Sequence, residues 1–464
     1  MKYLGYCIFG LLLILSIVFY MDRMMMPDTS FLVTNILYDG TLQIQVQRFV
    51  AVFTQIVPYI FAKLGLPLKF ILIGYSTSFV LFYTAFYTVF TEWFKEERWA
   101  WVVLLYCTLM CTHVFYWVQP ELHQGTMFIL LSGILIHKTE KWTIFKGVLL
   151  IIALLTGLYS HPLSIFPFLF MGGFLGINKQ SLAIQPSVIF LSLAVFALFF
   201  LLKNYALPLP YYDVDASEVS RQNFQLYWKC FFKLGTFRTF FSATYLRDYW
   251  IFIGSFLGVI GFYGYKKAWL SLFWTASFVL GYFFFITCCY PKNVDQFYIE
   301  HLYLPMSFFI AFPLAFDILP NLKNNKMAQM TISILFIIRI LTICHADKIY
   351  AHRVSYMQGV FEKTATDANK KLLIEDNLVE KRHFIQTWGT AYQALLQSAV
   401  ESPNNCRQIM FTAEKNYFDF AKNKKTMVLM EFDTLNYQKL PKSYFNIQDT
   451  SVYRLVREPQ DWLK

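Results

Sequence analysis

Residues able to do chemistry gather in one short stretch, Phe31 to Phe49 (FLVTNILYDGTLQIQVQRF). Asp39 lies in a Tyr38-Asp39-Gly40 turn, and Arg48 follows. The glycine leaves the backbone free to turn, so the Asp39 carboxylate is expected to point back toward neighbouring helices as a general base. The bland alternative is an Asx-turn. A second stretch, Gln119-Pro120-Glu121-Leu122-His123-Gln124, sets an acid and an imidazole together just before an apolar run. That pattern suits an acid–base pair or a helix start. In Ser160-His161-Pro162, His161 can meet a phosphate or satisfy a helix end. Asp213, Asp215, Glu218 and Arg221 follow, then Lys292, Asp295, Glu300 and His301. Asp39, Glu121 and His123 are the candidates for the reaction. Arg48, His161, Arg221, Lys292 and His301 are the candidates for holding a lipid phosphate. Asp213-Val214-Asp215 has the outline of a DxD metal motif, which is common in solvated loops. The eight cysteines include no CxxC pair and no zinc spacing. No cofactor is expected, with a divalent metal as the alternative.

The elements that must position these residues are apolar. The 464-residue chain is 57% hydrophobic and only 15% charged, with mean hydropathy +0.44, which fits a polytopic membrane protein rather than a soluble one. Its net charge of +11 comes from short basic loops between apolar runs. A positive-inside bias explains those loops better than nucleic-acid binding does. A span needs about 20 apolar residues. Candidate runs are 4–21, 70–90, 99–117, 124–137, 147–160, 162–177, 184–203, 249–265, 268–288, 302–319 and 328–344.

With the N-terminus inside, the loops at 91–98, 137–146, 178–180, 265–267 and 321–326 all fall inside. The candidate residues then face outward, in loops 22–69 and 204–248 and their neighbours. The N-terminal run lacks a small-x-small cleavage site and reads as an uncleaved anchor. Phe49 to Lys63 is apolar, short and interrupted by Pro58, so it is expected to lie in the outer leaflet without crossing. TLQIQVQ before it alternates, as a strand or the start of an amphipathic helix would. The absence of any Asn-x-Ser/Thr sequon favours a bacterial inner membrane. The expected fold is mainly α: a polytopic helical membrane protein of about eleven transmembrane helices over residues 1–344. A small C-terminal α/β extracytoplasmic domain over 345–464 follows, built from short apolar strands alternating with helices.

This arrangement resembles the GT-C superfamily of integral-membrane glycosyltransferases, in particular the protein O-mannosyltransferases and aminoarabinose lipid A transferases. The likeness rests on an anchor span, a first outer loop with an acid (Asp39), a Pro-bearing segment (QIVPYIFAKLGLPL) and a second outer polar loop (WVQPELHQG). It implies a sugar donor on a polyprenyl phosphate, Asp39 as base and Glu121 as a second acid. Many members carry paired acids in the first loop, whereas Asp39 is followed by Gly40. The membrane lipid would be a partner, the acceptor is unspecified, and 345–464 is free to hold a protein partner. Two other readings are a scaffold subunit of an envelope complex and a polysaccharide polymerase or ligase.

Overall fold

The computed structural model describes residues 2–118, 121–138, 143–177, 194–195, 197–199, 201–202, 211–292, 295–322, 325–365, 369–379, 388–413, 427–431, 434–447 and 452–457. The run 184–203, the loop 178–180 and HFIQTW (383–388), one of the short apolar stretches expected as strands of the C-terminal domain, lie wholly or mostly outside them.

The chain is mostly helical. It opens with α1 (Lys2–Val18), α2 (Tyr20–Met24) and α3 (Pro27–Asp39), then α4 (Val52–Lys63), α5 (Leu68–Thr88) and α6 (Glu97–Tyr106). Next come α7 (Glu121–Lys138), α8 (Ile144–Ser160), α9 (Ile165–Ile177), α10 (Tyr211–Tyr227) and α11 (Gly235–Phe240). The series closes with α12 (Ala243–Tyr265), α13 (Trp269–Cys289), α14 (Gln296–Tyr303), α15 (Pro305–Pro313), α16 (Leu319–Leu322) and α17 (Lys326–Lys363). Among the described residues, four helical stretches are long and apolar enough to cross a membrane: Leu68–Trp93, Trp269–Cys289, Pro305–Leu322 and Lys326–Lys363. Several shorter apolar helices, such as Lys2–Val18 and Ile144–Ser160, accompany them.

Two local expectations need correcting. TLQIQVQ forms neither strand nor helix. The Gln55 amide holds it, accepting from the Gln43 N–H at 2.8 Å and donating to the Gln43 carbonyl at 2.8 Å. The run 99–117 is not one helix. It is helical only to Tyr106, and Cys107–Val118 is irregular yet largely buried.

Buried irregular backbone must find partners inside the protein. Three buried charges provide them. The Glu300 carboxylate, fully buried on α14, accepts from the backbone N–H groups of Thr112 (2.6 Å), His113 (3.1 Å) and Val114 (2.8 Å), and from Tyr249 Oη (2.5 Å). Arg339 on α17 donates to the carbonyls of Thr108 (2.8 Å) and Cys111 (3.1 Å), to that of Asp248, and to Thr112 Oγ1 (2.6 Å). Arg23 on α2 donates to the Phe115 carbonyl and to Ser76. A carboxylate thus replaces the missing helical acceptors and two guanidiniums the missing donors.

The C-terminal part is α/β, as expected. Strand β1 (Lys371–Glu375) is central, parallel to β2 (Gln408–Thr412) on one side and to β5 (Arg454–Val456) on the other. β3 (Met427–Leu429) and β4 (Thr434–Asn436) pair antiparallel. Helix α18 (Thr390–Ala399) connects β1 to β2 in sequence. Both faces of β1 are covered, which is why Leu372, Leu373 and Ile374 run on as an unbroken apolar stretch. Leu372 and Ile374 pack on Met357, Val360 and Phe361 of α17. Leu373 joins Tyr392 and Leu395 of α18 in one core with Met24, Leu32, Val33, Leu72 and Tyr75. α17 runs unbroken through residue 344, and the sheet is packed directly onto α3 and α5. Gly389, at φ +78°, fits against Pro27 so closely that a Cβ there would lie 2.7 Å from Pro27 Cα.

Three substitutions test these contacts by thermal unfolding in detergent. Gly389→Ala meets both a left-handed backbone and Pro27, and is expected to cost about 2 kcal/mol or more. Gly359→Ala, with open space on α17, is expected to be neutral or stabilising by up to about 1 kcal/mol. Glu300→Gln turns an amide donor toward a cluster of N–H groups and is expected to cost about 1–3 kcal/mol. Equal melting temperatures for Glu300→Gln and wild type would refute the clamp.

Candidate functional site

α14 carries Glu300 and His301 side by side. Glu300 ties the helix to the irregular segment, which sets the position of the next side chain, His301. His301 Nδ1 and His123 Nε2, from the first turn of α7, are hydrogen-bonded at 2.9 Å. The other nitrogen of His123 bonds Tyr106 Oη at 2.8 Å. Both histidines are buried. The ring of His161 lies 6.2 Å from that of His301, and its Nδ1 accepts from the Leu163 N–H at the turn after α8. Trp117, the penultimate residue of the irregular segment, packs edge-on to His301 at 5.5 Å and to Phe297 at 4.8 Å. Its indole N–H donates to Asp28 Oδ2 at 2.7 Å. Asp28 is half-buried in the first turn of α3, where the helix dipole favours an ionised carboxylate.

Arg48 forms the other side. It follows two non-glycine residues in the left-handed region, Val46 (φ +51°) and Gln47 (φ +59°), each costing about 1–2 kcal/mol. Its guanidinium bonds Asp213 of α10 at 2.9 Å and stands 3.9 Å from Glu121, the first residue of α7. The Arg48 and Glu121 side chains are only 14% and 12% exposed. Tyr212 and Tyr298 lie within electrostatic reach of both Asp28 and Arg48.

Of the residues singled out from sequence, Arg48, Glu121, His123, His161 and His301 come together. Asp39, Arg221 and Lys292 do not join them. Asp39 ends α3 and is exposed, bonded to Gln43 Nε2 at 3.0 Å. Its Tyr-Asp-Gly setting is a helix stop: Gly40 at φ +65° donates to the Ile36 carbonyl and ends α3. Arg221 is exposed and engaged with Glu218 on its own helix. Lys292 is exposed, its backbone carbonyl accepting from Thr236. Sequence reasoning passed over Asp28, Trp117 and Tyr106. Pro27-Asp28 was available as a helix-start signal. Among the described residues no group of three or more His, Cys, Asp or Glu side chains is arranged to hold a metal, and the eight cysteines are free.

An apolar cavity of about 70 Å³ reaches His123, walled by Phe9, Phe79, Val80 and Val114, with Arg23, Tyr106 and His123 among its few polar linings. Such a lining favours an apolar group over water.

Burial, and next the Arg48 charge, hold His301 far below the ordinary imidazole value of 6.5, down to about 3. A neutral pair can share one proton between the facing nitrogens, whereas two imidazolium rings would oppose donors. The folded chain refuses a proton that the unfolded chain accepts below pH 6.5. This contribution is complete above pH 6.5 and is lost progressively as pH falls toward 3. His301→Gln is expected to flatten the fall of melting temperature across that window by one proton; an unchanged slope would refute the assignment. Comparisons with protein-family models, with curated proteins and with solved structures each return no match.

Proposed function

We propose that the chain is an integral-membrane glycosyltransferase of GT-C type, which transfers a sugar from a polyprenyl-phosphate donor to an acceptor hydroxyl at the outer face of the membrane. The observation that carries this reading is the chain of contacts from Asp28 through Trp117 and His301 to His123, with the Arg48 charge felt at His301, among helices long enough to span a bilayer. The eleven-span topology, the bacterial inner membrane and the outward C-terminal domain belong to the same proposal.

In this reading Asp28 replaces Asp39 as the base. The Asp28 carboxylate, positioned by the Trp117 indole N–H, takes the proton of the acceptor hydroxyl, and the hydroxyl oxygen attacks the anomeric carbon. The bond to the lipid phosphate breaks, the sugar inverts, and the departing phosphate takes its charge to Arg48. Neutral His301 and His123 donate or accept single hydrogen bonds and leave Arg48 as the principal cation. The packed C-terminal domain fixes α3 from above and so sets where Asp28 stands.

The test is transfer of radiolabelled sugar from polyprenyl-phosphate donors by the purified chain in lipid nanodiscs. Asp28→Asn is expected to lower the rate at least about a hundredfold, with unchanged melting temperature. Asp39→Asn is expected to stay within about twofold of wild type. The reverse order would return the role to Asp39, and no transfer with any polyprenyl-linked sugar would discard the activity.

A further inference from the structure

α10 poses a problem of burial. Between Tyr211 and Ser217 every residue is exposed except Asp213. Tyr211 and Tyr212 are 85% and 65% exposed at the very start of the helix. The contacts that hold α10 to the bundle are at its other end: Asn223 donates to the Cys289 carbonyl at 2.9 Å, and Phe224 packs on Phe284 and Phe285 of α13. Among the described residues, the bond from Arg48 to Asp213 is the one hydrogen bond or ion pair tying the first turn of α10 to the bundle.

Arg48 is underused by that bond. One nitrogen meets one carboxylate oxygen, another faces Glu121 at 3.9 Å, too far for a hydrogen bond, and Nε has no partner among the described residues although it is buried. Glu121 Oε2, the atom that faces Arg48, is buried and accepts no hydrogen bond among the described residues. A guanidinium presents a planar fork that suits two oxygens of one anion. Here the fork is aimed by two left-handed residues, Val46 and Gln47, and then given a single oxygen.

We propose that Asp213 is an internal stand-in for a phosphate ester, and that the ligand's phosphate displaces it from Arg48 and frees the first turn of α10. Two carboxylates and a phosphate cannot share one guanidinium without a large excess of negative charge, so binding and the Arg48–Asp213 bond exclude each other. Glu121 is rooted in α7, while Asp213 sits on the loosely held end, so Asp213 is the one that leaves. The ligand-free chain is thereby latched, and the apparent affinity for the phosphate is reduced by the fraction of molecules with the latch closed. The identity of the phosphate ester as a polyprenyl phosphate rests on the glycosyltransferase reading; the latch itself does not.

The experiment measures binding to the full chain in nanodiscs, with inorganic phosphate and with a polyprenyl monophosphate as separate probes. Asp213→Asn keeps the shape and removes the competing charge; it is expected to tighten binding of the accepted probe by about fivefold or more. Arg48→Gln is expected to abolish it. Hydrogen exchange in 211–217 should rise when the probe is added to wild type and should already be high in ligand-free Asp213→Asn. Tightening with the lipid alone assigns a lipid phosphate, and tightening with both assigns the phosphate group itself. Unchanged or weaker binding of both probes by Asp213→Asn would overturn the latch and make Asp213 a fixed structural partner or a ligand contact. Tighter binding with no sugar transfer by wild type would keep the latch and remove the glycosyltransferase reading.

Discussion

A stretch of irregular backbone buried among apolar helices is the constraint on which the structure depends. Cys107–Val118 leaves the helix at Tyr106, and its polar groups have no water to turn to. Each unmet group would cost more than an ordinary hydrogen bond contributes. The chain meets the demand with side chains from distant parts of the sequence: Arg23, Glu300 and Arg339. Charged groups fully buried among aromatic rings are expensive on their own and tolerable only when every lone pair or proton is used. The break and its clamps therefore require each other. The gain is position: the clamp on Thr112–Val114 fixes α14, hence His301, and the segment's end delivers Trp117 to Asp28.

The C-terminal domain extends the same logic outward. One face of its core is completed by residues of α2, α3 and α5. Tyr38 Oη accepts from the Asn436 N–H, and Tyr444 Oη donates to the Ala62 carbonyl. Phe31 meets Tyr392 edge-on at 5.1 Å. A domain fastened at this many points is a wall of the site region rather than a module on a tether. Arg353, buried where α17 leaves the bundle, bonds Gln393 of α18 at 2.9 Å and carries the rigidity of the long helix into the domain.

What could be read from the sequence follows the range of the signals involved. Long apolar runs marked α5, α13 and the first half of α17, because hydropathy is a local property. Alternation of apolar strands and TAYQALLQSAV marked the α/β domain for the same reason. The break after Tyr106 was not legible: WVVLLYCTLMCTHVFYW has no Pro or Gly, and what ends the helix is supplied by Glu300 and Arg339, far away in sequence. The strand-like TLQIQVQ failed similarly, since Gln55 satisfies the Gln43 backbone groups that a neighbouring strand would have. At the site, the polar residues of the outer loops were found as a set, but which of them meet depends on the fold. Arg221 and Glu218 are neighbours on one helix face and need no partner elsewhere.

Asp28 and Asp39 bring the two scales together. Both belong to α3, which begins just before the stretch where chemistry was sought and ends inside it, and they occupy its opposite ends. Gly after Asp39 was read as freedom for the carboxylate to turn inward. In the fold the same glycine is a left-handed stop, which ends α3 and leaves Asp39 at the helix end whose dipole disfavours a negative charge. Solvent at that exposed end screens the cost, so nothing forces Asp39 to find a partner. At the other end Pro27 starts the helix and packs against Gly389, the dipole favours the ionised acid, and the Trp117 indole N–H holds the Asp28 carboxylate. A base needs a fixed position and a charge that survives partial burial. Only the N-terminal acid of this helix is given both.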